Sequence, residues 1–340
     1  MSDPLVLGVD GGNSKTIALV ARLDGTIAGT GRSGCTDMYA TGSAAVALQE
    51  LDRAVNQALS DAGASAAVLA AGAFSQAGAD WPEDIALLAN ALKERGFGRR
   101  VLVVNDAIGA LRAGSDDGTG VAVVCGTGAA IGARAPDGRE WHTSWWQEPQ
   151  GSRHLAEMTL RAVYRAELQI DPPTALTDHI LAMFGVETVE EVLRALTARQ
   201  HRRTYDHGRV TTILIEESNR GDATACRILH DHGSALGDYT VAAARRTGLS
   251  NTALSLVLAG GVLRGPQTAL HRAIIARVME SCPRVKPVRP HFEPAVGALM
   301  LALETAGVKV DRAVTTRLEE TMPPPTLYLT TPPPGWNDLT

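Results

Sequence analysis

The sequence is poor in lysine, cysteine and aromatic residues, and each shortage excludes something. Of its 32 basic residues only Lys15, Lys93, Lys286 and Lys309 are lysines; the other 28 are arginines. With 37 acidic residues the formal charge is -5. No surplus of positive charge exists for a general polyanion or nucleic-acid binder, although a local anion site stays open. Four cysteines, Cys35, Cys125, Cys226 and Cys282, lie far apart with no C-x-x-C pair. They read as reduced small hydrophobes, not as a disulfide framework. His142, His154, His179 and the His/Arg cluster at 201–207 lack the spacing of metal ligands. No apolar run reaches the roughly 18 residues of a membrane-spanning helix. The chain passes from Met1-Ser2-Asp3 into an apolar strand with no basic n-region or cleavage site. These absences predict a cytoplasmic protein without a membrane or nucleic-acid partner.

What is present is an ordinary globular composition, 45% hydrophobic and 20% charged, in a chain longer than the roughly 250–300 residues at which single cores stop growing. Two domains are expected. Leu5–Asp10 is a buried-strand run that breaks into Gly11-Gly12-Asn13-Ser14-Lys15-Thr16, and a second apolar run, 17–21, follows, with an Asp24-Gly25 turn after it. A P-loop or dinucleotide loop needs a helix directly after its glycines, so strand-loop-strand argues for a hairpin. Helices are predicted over 42–62, 83–95 and 107–113, with strands at 66–73 and 101–104 between them. The grammar then restarts about 115 residues on: strand 121–124, Gly126-Thr127-Gly128, strand 130–134 and an Asp137-Gly138 turn. Helices are predicted near 151–168, 174–184, 188–198, 220–247, 266–280 and 294–306, and strand 254–258 opens into Gly260-Gly261. The expectation is two related α/β domains, 1–115 and 116–310, each presenting a glycine loop to a shared cleft. The two proline triplets at 323–325 and 332–334 predict that the Pro-rich tail, 311–340, is extended or disordered from 321 on.

Asp10 ends a strand directly before two glycines, where a carboxylate could hold a hydrated Mg²⁺ while backbone N–H groups face a phosphate. Ser14 and Thr16 add hydroxyls, and Lys15 an ammonium. A plain hairpin turn with a solvated lysine is the competing reading. Asp106 ends strand 101–104 and starts a helix, so it reads either as an N-cap or as a general base taking a proton from an attacking hydroxyl.

The segments G-V-D-G-G-N-S-K-T (8–16), V-V-N-D-A-I-G-A-L (103–111), V-V-C-G-T-G-A-A-I-G (123–132), L-V-L-A-G-G-V-L (256–263) and F-E-P-A-V-G-A-L (292–299) resemble, in order, those of the N-acetylglucosamine kinase and BadF/BadG/BcrA/BcrD ATPase family. The resemblance implies an α/β fold of two ribonuclease-H-like (actin-like ATPase) domains around an interdomain cleft that closes over MgATP, with a homodimer as the assembly. It implies Asp10 at the Mg²⁺, and Gly11, Gly12, Asn13, Ser14, Lys15 and Thr16 as the first ATP phosphate loop. Gly126, Thr127 and Gly128 would form the second, with Gly260 and Gly261 at the adenosine. Helices 107–110 and 295–298 would cross between domains. Asp106, after Asn105, falls at the catalytic base for phosphorylation of an amino sugar, N-acetylglucosamine or glucosamine, at its 6-hydroxyl.

Two substrate-side segments depart from the family. Ser33-Gly34-Cys35-Thr36-Asp37 stands where the sugar kinases carry G-G-P-S-N, so Asp37 replaces a sugar-binding amide. A carboxylate there would favour an ammonium or further hydroxyl donors. His142-Thr-Ser-Trp-Trp146 and Glu148-Pro-Gln-Gly-Ser152 stand where the family carries G-W-G and G-D-E-G-S, which puts Trp145 and Gln150 among the candidate substrate contacts. Three other readings stay open: a kinase of a different sugar or cyclitol, an ATPase activator of a 2-hydroxyacyl-CoA dehydratase or benzoyl-CoA reductase partner, and a non-catalytic sugar sensor. The activator would need an iron-sulfur cluster, for which Cys125 is suggestive but has no second cysteine.

Overall fold

The computed structural model describes residues 3–200 and 202–329. They form two compact units. One comprises the residues up to Gly120, Gly132–His142 and those from Pro290 on; the other comprises Val121–Ile131 and Thr143–Arg289. The units are interleaved along the chain, whereas a linear reading ends the first domain at 115.

In the first unit, β1 (Leu5–Gly11), β2 (Thr16–Arg22), β3 (Ile27–Ser33), β4 (Leu69–Gln76) and β5 (Arg100–Asn105) form a sheet of order β3-β2-β1-β4-β5. The hairpins β1–β2 and β2–β3 are antiparallel and β1, β4 and β5 are parallel. Helices cover both faces, so the strands are apolar on both sides. Leu5, Leu7 and Val9 pack with Leu51, Val55 and Leu59 of α1 (Ala44–Asp61) and with Leu88 and Leu92 of α2 (Pro82–Glu94). Val6, Ile17, Leu19 and Ala21 point the other way, towards Ile108 of α3 (Asp106–Gly114).

The second sheet takes β6 (Gly120–Cys125), β7 (Ala129–Arg134), β8 (Glu140–His142), β9 (Leu254–Ala259) and β10 (Val285–Val288) in the order β10-β9-β6-β7-β8, with β9 parallel to both β6 and β10. The repeated strand, glycine loop and hairpin is thus present twice. The helices of the second unit are α4 (Ser152–Glu167), α5 (Leu176–Phe184), α6 (Val189–Thr197), α7 (His207–Arg220), α8 (Ala223–Thr247) and α9 (Ala269–Ser281). The four-residue β10, an edge strand carrying Lys286 and Pro287, escapes period-2 reading. α7, which starts at the Asp206 N-cap and stops at Gly221 in the left-handed region, lies where no helix is predicted.

The remaining helices, α10 (Pro294–Thr305) and α11 (Arg312–Glu320), belong with the first unit. A Cβ on Gly297 would collide with the Gly109 carbonyl oxygen and stand 2.7 Å from the Ala113 nitrogen. The small residues of 107–110 and 295–298 therefore let α3 and α10 pack backbone to backbone. Residues 312–320 form α11, and within the stretch from 321 expected to be extended or disordered Pro325–Tyr328 form a 3₁₀ turn. Hydrophobic burial decides this, since Val314, Leu318 and Tyr328 join the core under α10. The second proline triplet lies outside the described residues.

Candidate active site

In the first unit Asp10, the glycine loop, Asp37, Asn105 and Asp106 converge at the carboxyl ends of β1, β4 and β5, where parallel strands present their loops to ligands. The loop is fixed from beneath. Gly12 donates to the Lys15 carbonyl at 3.0 Å, Thr36 to that of Gly12 at 3.2 Å and Ala77 to that of Gly11 at 2.8 Å. Thr16 is fully buried, its hydroxyl 2.9 Å from both the Gly34 carbonyl oxygen and Thr36 Oγ1. The structure thus places Thr16 as a strut of the loop, while Asn13 and Ser14 are exposed. Lys15 Nζ donates to the Tyr328 carbonyl at 2.6 Å.

Asn105, not Asp106, caps α3: its side-chain oxygen accepts from the Ala107 nitrogen at 3.2 Å, and its Nδ2 donates to Asp80 at 3.2 Å. With the cap supplied by its neighbour, Asp106 becomes the first helical residue. Ser75 staples this junction, donating to the Asp106 carbonyl at 3.1 Å and accepting from Gly109 N–H at 3.1 Å. Burial first, and then the charges of Asp10, Asp80 and Asp37, push the Asp106 carboxyl up to about 7. Burial also raises Asp10, to about 6, against the pull of the Lys15 ammonium and with a push from Glu293. Asp37 Oδ1 accepts from Tyr39 and Ala40 N–H at 2.8 and 3.3 Å, an Asx-type turn that fixes its carboxylate beside the loop.

Sequence reasoning missed Ser75, Gln76 and Asp80, which belong to no motif. Gln76 is fully buried with its amide nitrogen lacking an acceptor, a donor available to whatever enters beside Gly11. Asp80 is held by Asn105, and only the β4–β5 pairing brings it there.

In the second unit the other two glycine loops lie side by side. Gly260, at φ +93°, presses on the backbone of Cys125, and Val262 N–H donates to the Cys125 carbonyl at 3.0 Å. Gly126 N–H bonds the Gly128 carbonyl at 2.9 Å, closing a tight turn, and the first turn of α4 clamps it: Ser152 N–H donates to the Gly126 carbonyl at 2.7 Å and Arg153 N–H to that of Thr127 at 3.3 Å. A Cβ on Gly151 would collide with the Gly126 and Gly128 carbonyls, whereas a Cβ on Gly126 or Gly261 would meet nothing within 4 Å. Neither of those two glycines has a positive φ. Their lack of a side chain leaves open space beside exposed backbone, the geometry that an approaching phosphate requires.

Gln150 is tied within its own loop. Its Oε1 accepts from Ala129 N–H at 3.4 Å and its Nε2 donates to the Gln147 carbonyl at 3.3 Å. His232 Nε2 lies 2.7 Å from the Gln150 carbonyl oxygen. Burial lowers His232 to about 4, so the ring is neutral and Nε2 carries the proton that makes this bond. Trp145 and Trp146 are 59% and 61% exposed. Burial pushes the Cys125 thiol up to about 12, which keeps it protonated.

The donor set around Asp10 fits a hydrated Mg²⁺. Among the described residues no three His, Cys, Asp or Glu side chains gather to chelate a metal directly, but Mg²⁺ retains waters and needs only one or two carboxylates together with phosphate oxygens. The buried Tyr328 hydroxyl, which lacks a hydrogen-bond partner, and the Glu293 carboxylate both act electrostatically with Asp10 or feel its charge. No helix of the described residues is long and apolar enough to cross a membrane.

Comparison with known proteins agrees with this arrangement. The chain is 24% identical over 318 residues to the N-acetyl-D-glucosamine kinase of Dictyostelium discoideum, spanning 90% of this chain and 99% of the relative. It is 25% identical over 303 residues to the N-acetylmuramic acid/N-acetylglucosamine kinase of Clostridium acetobutylicum, spanning 87% and 97%. A candidate N-acetylglucosamine kinase of Chromobacterium violaceum shares the fold at a TM-score of 0.63 and 20% identity, over 88% of this chain and 99% of that one. The fold is that of the two-domain actin-like ATPases. Residues 7–302 match the BadF/BadG/BcrA/BcrD ATPase family, and the chain belongs to that family.

Proposed function

We propose that this chain is an ATP-dependent sugar kinase that phosphorylates a hydroxyl of an amino sugar, N-acetylglucosamine or glucosamine, at the 6-position. The observation that carries the reading is the placement of Asp106. Its carboxyl stands at the carboxyl end of a parallel strand, accepts a hydrogen bond from the Ala107 backbone, and is poised near neutrality by burial and by Asp10. A general base works best with a pKa near the working pH. Asp106 takes the hydroxyl proton as the sugar oxygen bonds the γ-phosphorus and the bond to the ADP oxygen breaks. Asp10 would hold a hydrated Mg²⁺, which when bound neutralises charge on the phosphates. The Gly11–Thr16 loop would serve those phosphates, and Gly126–Gly128 and Gly260–Gly261 the nucleotide. Asp37 and Asn105 in the first unit, and Trp145 and Gln150 in the second, would be the candidate substrate contacts. Of these, Asn105 supports the base by capping α3, and Trp145 offers an open indole face.

The activator reading has no comparable support, because an iron-sulfur cluster is held by several cysteine thiolates and no second cysteine stands near Cys125 in the sequence. An ADP-release screen over glucosamine, N-acetylglucosamine, N-acetylmuramic acid, glucose and cyclitols tests the proposal. The expected result is turnover with an amino sugar. Release only without sugar, or only with a cyclitol, would refute it.

A further inference from the structure

The family match ends at residue 302, yet the chain continues into α11 and the 3₁₀ turn, and these return to the first phosphate loop. α11 abuts the β2–β3 turn, where Val314 backs Gly25. Beyond it, Ile27 N–H donates to Thr321 Oγ1 at 3.0 Å. Arg32, on the edge strand β3, donates from Nη1 to the Leu327 carbonyl at 2.9 Å and from Nη2 to that of Leu329 at 2.7 Å. The next contact is Lys15 Nζ on the Tyr328 carbonyl at 2.6 Å. Tyr328 is only 3% exposed and packs in the core with Ile17, Ala295 and Val296, but its hydroxyl has no hydrogen-bond partner. Leaving a buried hydroxyl unsatisfied is unfavourable. This one feels the charges of Glu293 and Asp10.

We propose that the segment Thr321–Leu329 is a strap added to the family fold, and that Tyr328 is a positioning residue for the phosphate end of the site. Its backbone carbonyl sets the Lys15 ammonium, and its buried ring seats the strap against Ile17 of β2 and Ala295 and Val296 of α10. The proposal rests on the kinase reading only for what Lys15 and Asp10 do; the strap itself is tested without turnover.

The scarcity of lysine makes the test clean. Brief acetylation of the full-length protein, read by mass spectrometry, reports Lys15 against Lys93 and Lys286 as internal references. Arg32→Ala removes the strap's anchors without touching Lys15, and is expected to raise Lys15 labelling at least fivefold while the references stay constant. Equal labelling of Lys15 in wild type, Arg32→Ala and Tyr328→Ala would overturn the strap. Tyr328→Phe keeps the ring and the carbonyl, and is expected to hold Lys15 labelling within twofold of wild type, whereas Tyr328→Ala raises it at least fivefold. Equal labelling in Tyr328→Phe and Tyr328→Ala would overturn the part played by the ring. If no sugar supports ADP release, the kinase reading fails while the labelling still decides the strap.

Discussion

Replacing Asp106 by Asn should do two opposite things, and the structure sets the size of both. The carboxyl rises from 3.8 to about 7 because its charged form is buried beside Asp10, Asp80 and Asp37. A folded-state pKa above the unfolded one means that the native state holds the proton more tightly. Its stabilising effect is complete below about pH 4 and is lost as pH climbs to about 7. At about 1.4 kcal/mol per pH unit the whole span is on the order of 4 kcal/mol. Asp10, raised to about 6 by burial and its own acidic neighbour, shares that cost, so removing one charge should recover about 1–3 kcal/mol at pH 8. With about 2–4 °C of Tm per kcal/mol at this domain size, Asp106→Asn should melt several degrees above wild type at pH 8 and level with it near pH 4.5. Activity should move the other way, falling about 10²- to 10⁴-fold, as expected for a lost general base. The assay is differential scanning calorimetry from pH 4.5 to 8.5 without nucleotide or metal, alongside steady-state ADP release. Parallel Tm–pH curves would refute the buried acidic environment of Asp106, and undiminished turnover would refute its role as base. The kcat/KM of wild type should itself rise with pH through about 7, the ionised base being the active form.

Two glycines that meet at the Gly126–Gly128 turn should separate packing from binding. Gly151→Ala drives a Cβ onto the Gly126 and Gly128 carbonyls and should cost about 1–3 kcal/mol of stability, read in urea unfolding. Gly126→Ala meets nothing within 4 Å, so it should leave the midpoint unchanged and weaken ATP at least tenfold by calorimetric titration. In the first unit, Arg112 is buried with Nη2 2.9 Å from Glu304 and Nη1 2.9 Å from the Ser115 carbonyl, linking α3 to α10. Glu304→Ala strands that guanidinium and should lower stability by about 1–3 kcal/mol, a smaller loss than for a fully buried pair because Glu304 is partly exposed; an unchanged urea midpoint would refute the link.

What could be read without the structure is what glycine and alternation encode locally. The strand-loop-strand grammar at 5–21 and its repeat at 121–134 announce themselves, because Gly11-Gly12, Gly126-Thr127-Gly128 and Gly260-Gly261 interrupt apolar runs of strand length. The family motifs raise this to a fold. The division of labour between Asn105 and Asp106 was not readable, since both can cap a helix and only the backbone shows which one does. Nor was Asp80, placed by the β4–β5 pairing, or the return of 312–329 to the first unit. That return depends on burial of Val314, Leu318 and Tyr328 against α10, while the local prolines point towards an extended chain.

The departures from the family's substrate loop follow a physical pattern. Gly151 and Ser152 are retained because they clamp the Gly126 turn, one by having no Cβ and the other through its N–H. Pro149 and Gln150, which stand in place of the family's acidic pair, make their bonds inward: the Pro149 carbonyl accepts from Gln147 Nε2 at 3.0 Å, and both ends of the Gln150 amide are used by Ala129 and Gln147. His232, neutral through burial, secures the Gln150 carbonyl from the other side. The loop therefore keeps the part of the motif that shapes the Gly126–Gly128 turn and spends the rest on its own rigidity. Discrimination between sugars at this loop would then fall to the exposed Trp145, whose indole offers stacking area in a chain with only five tryptophans, and in the first unit to Asp37, whose carboxylate replaces a neutral amide.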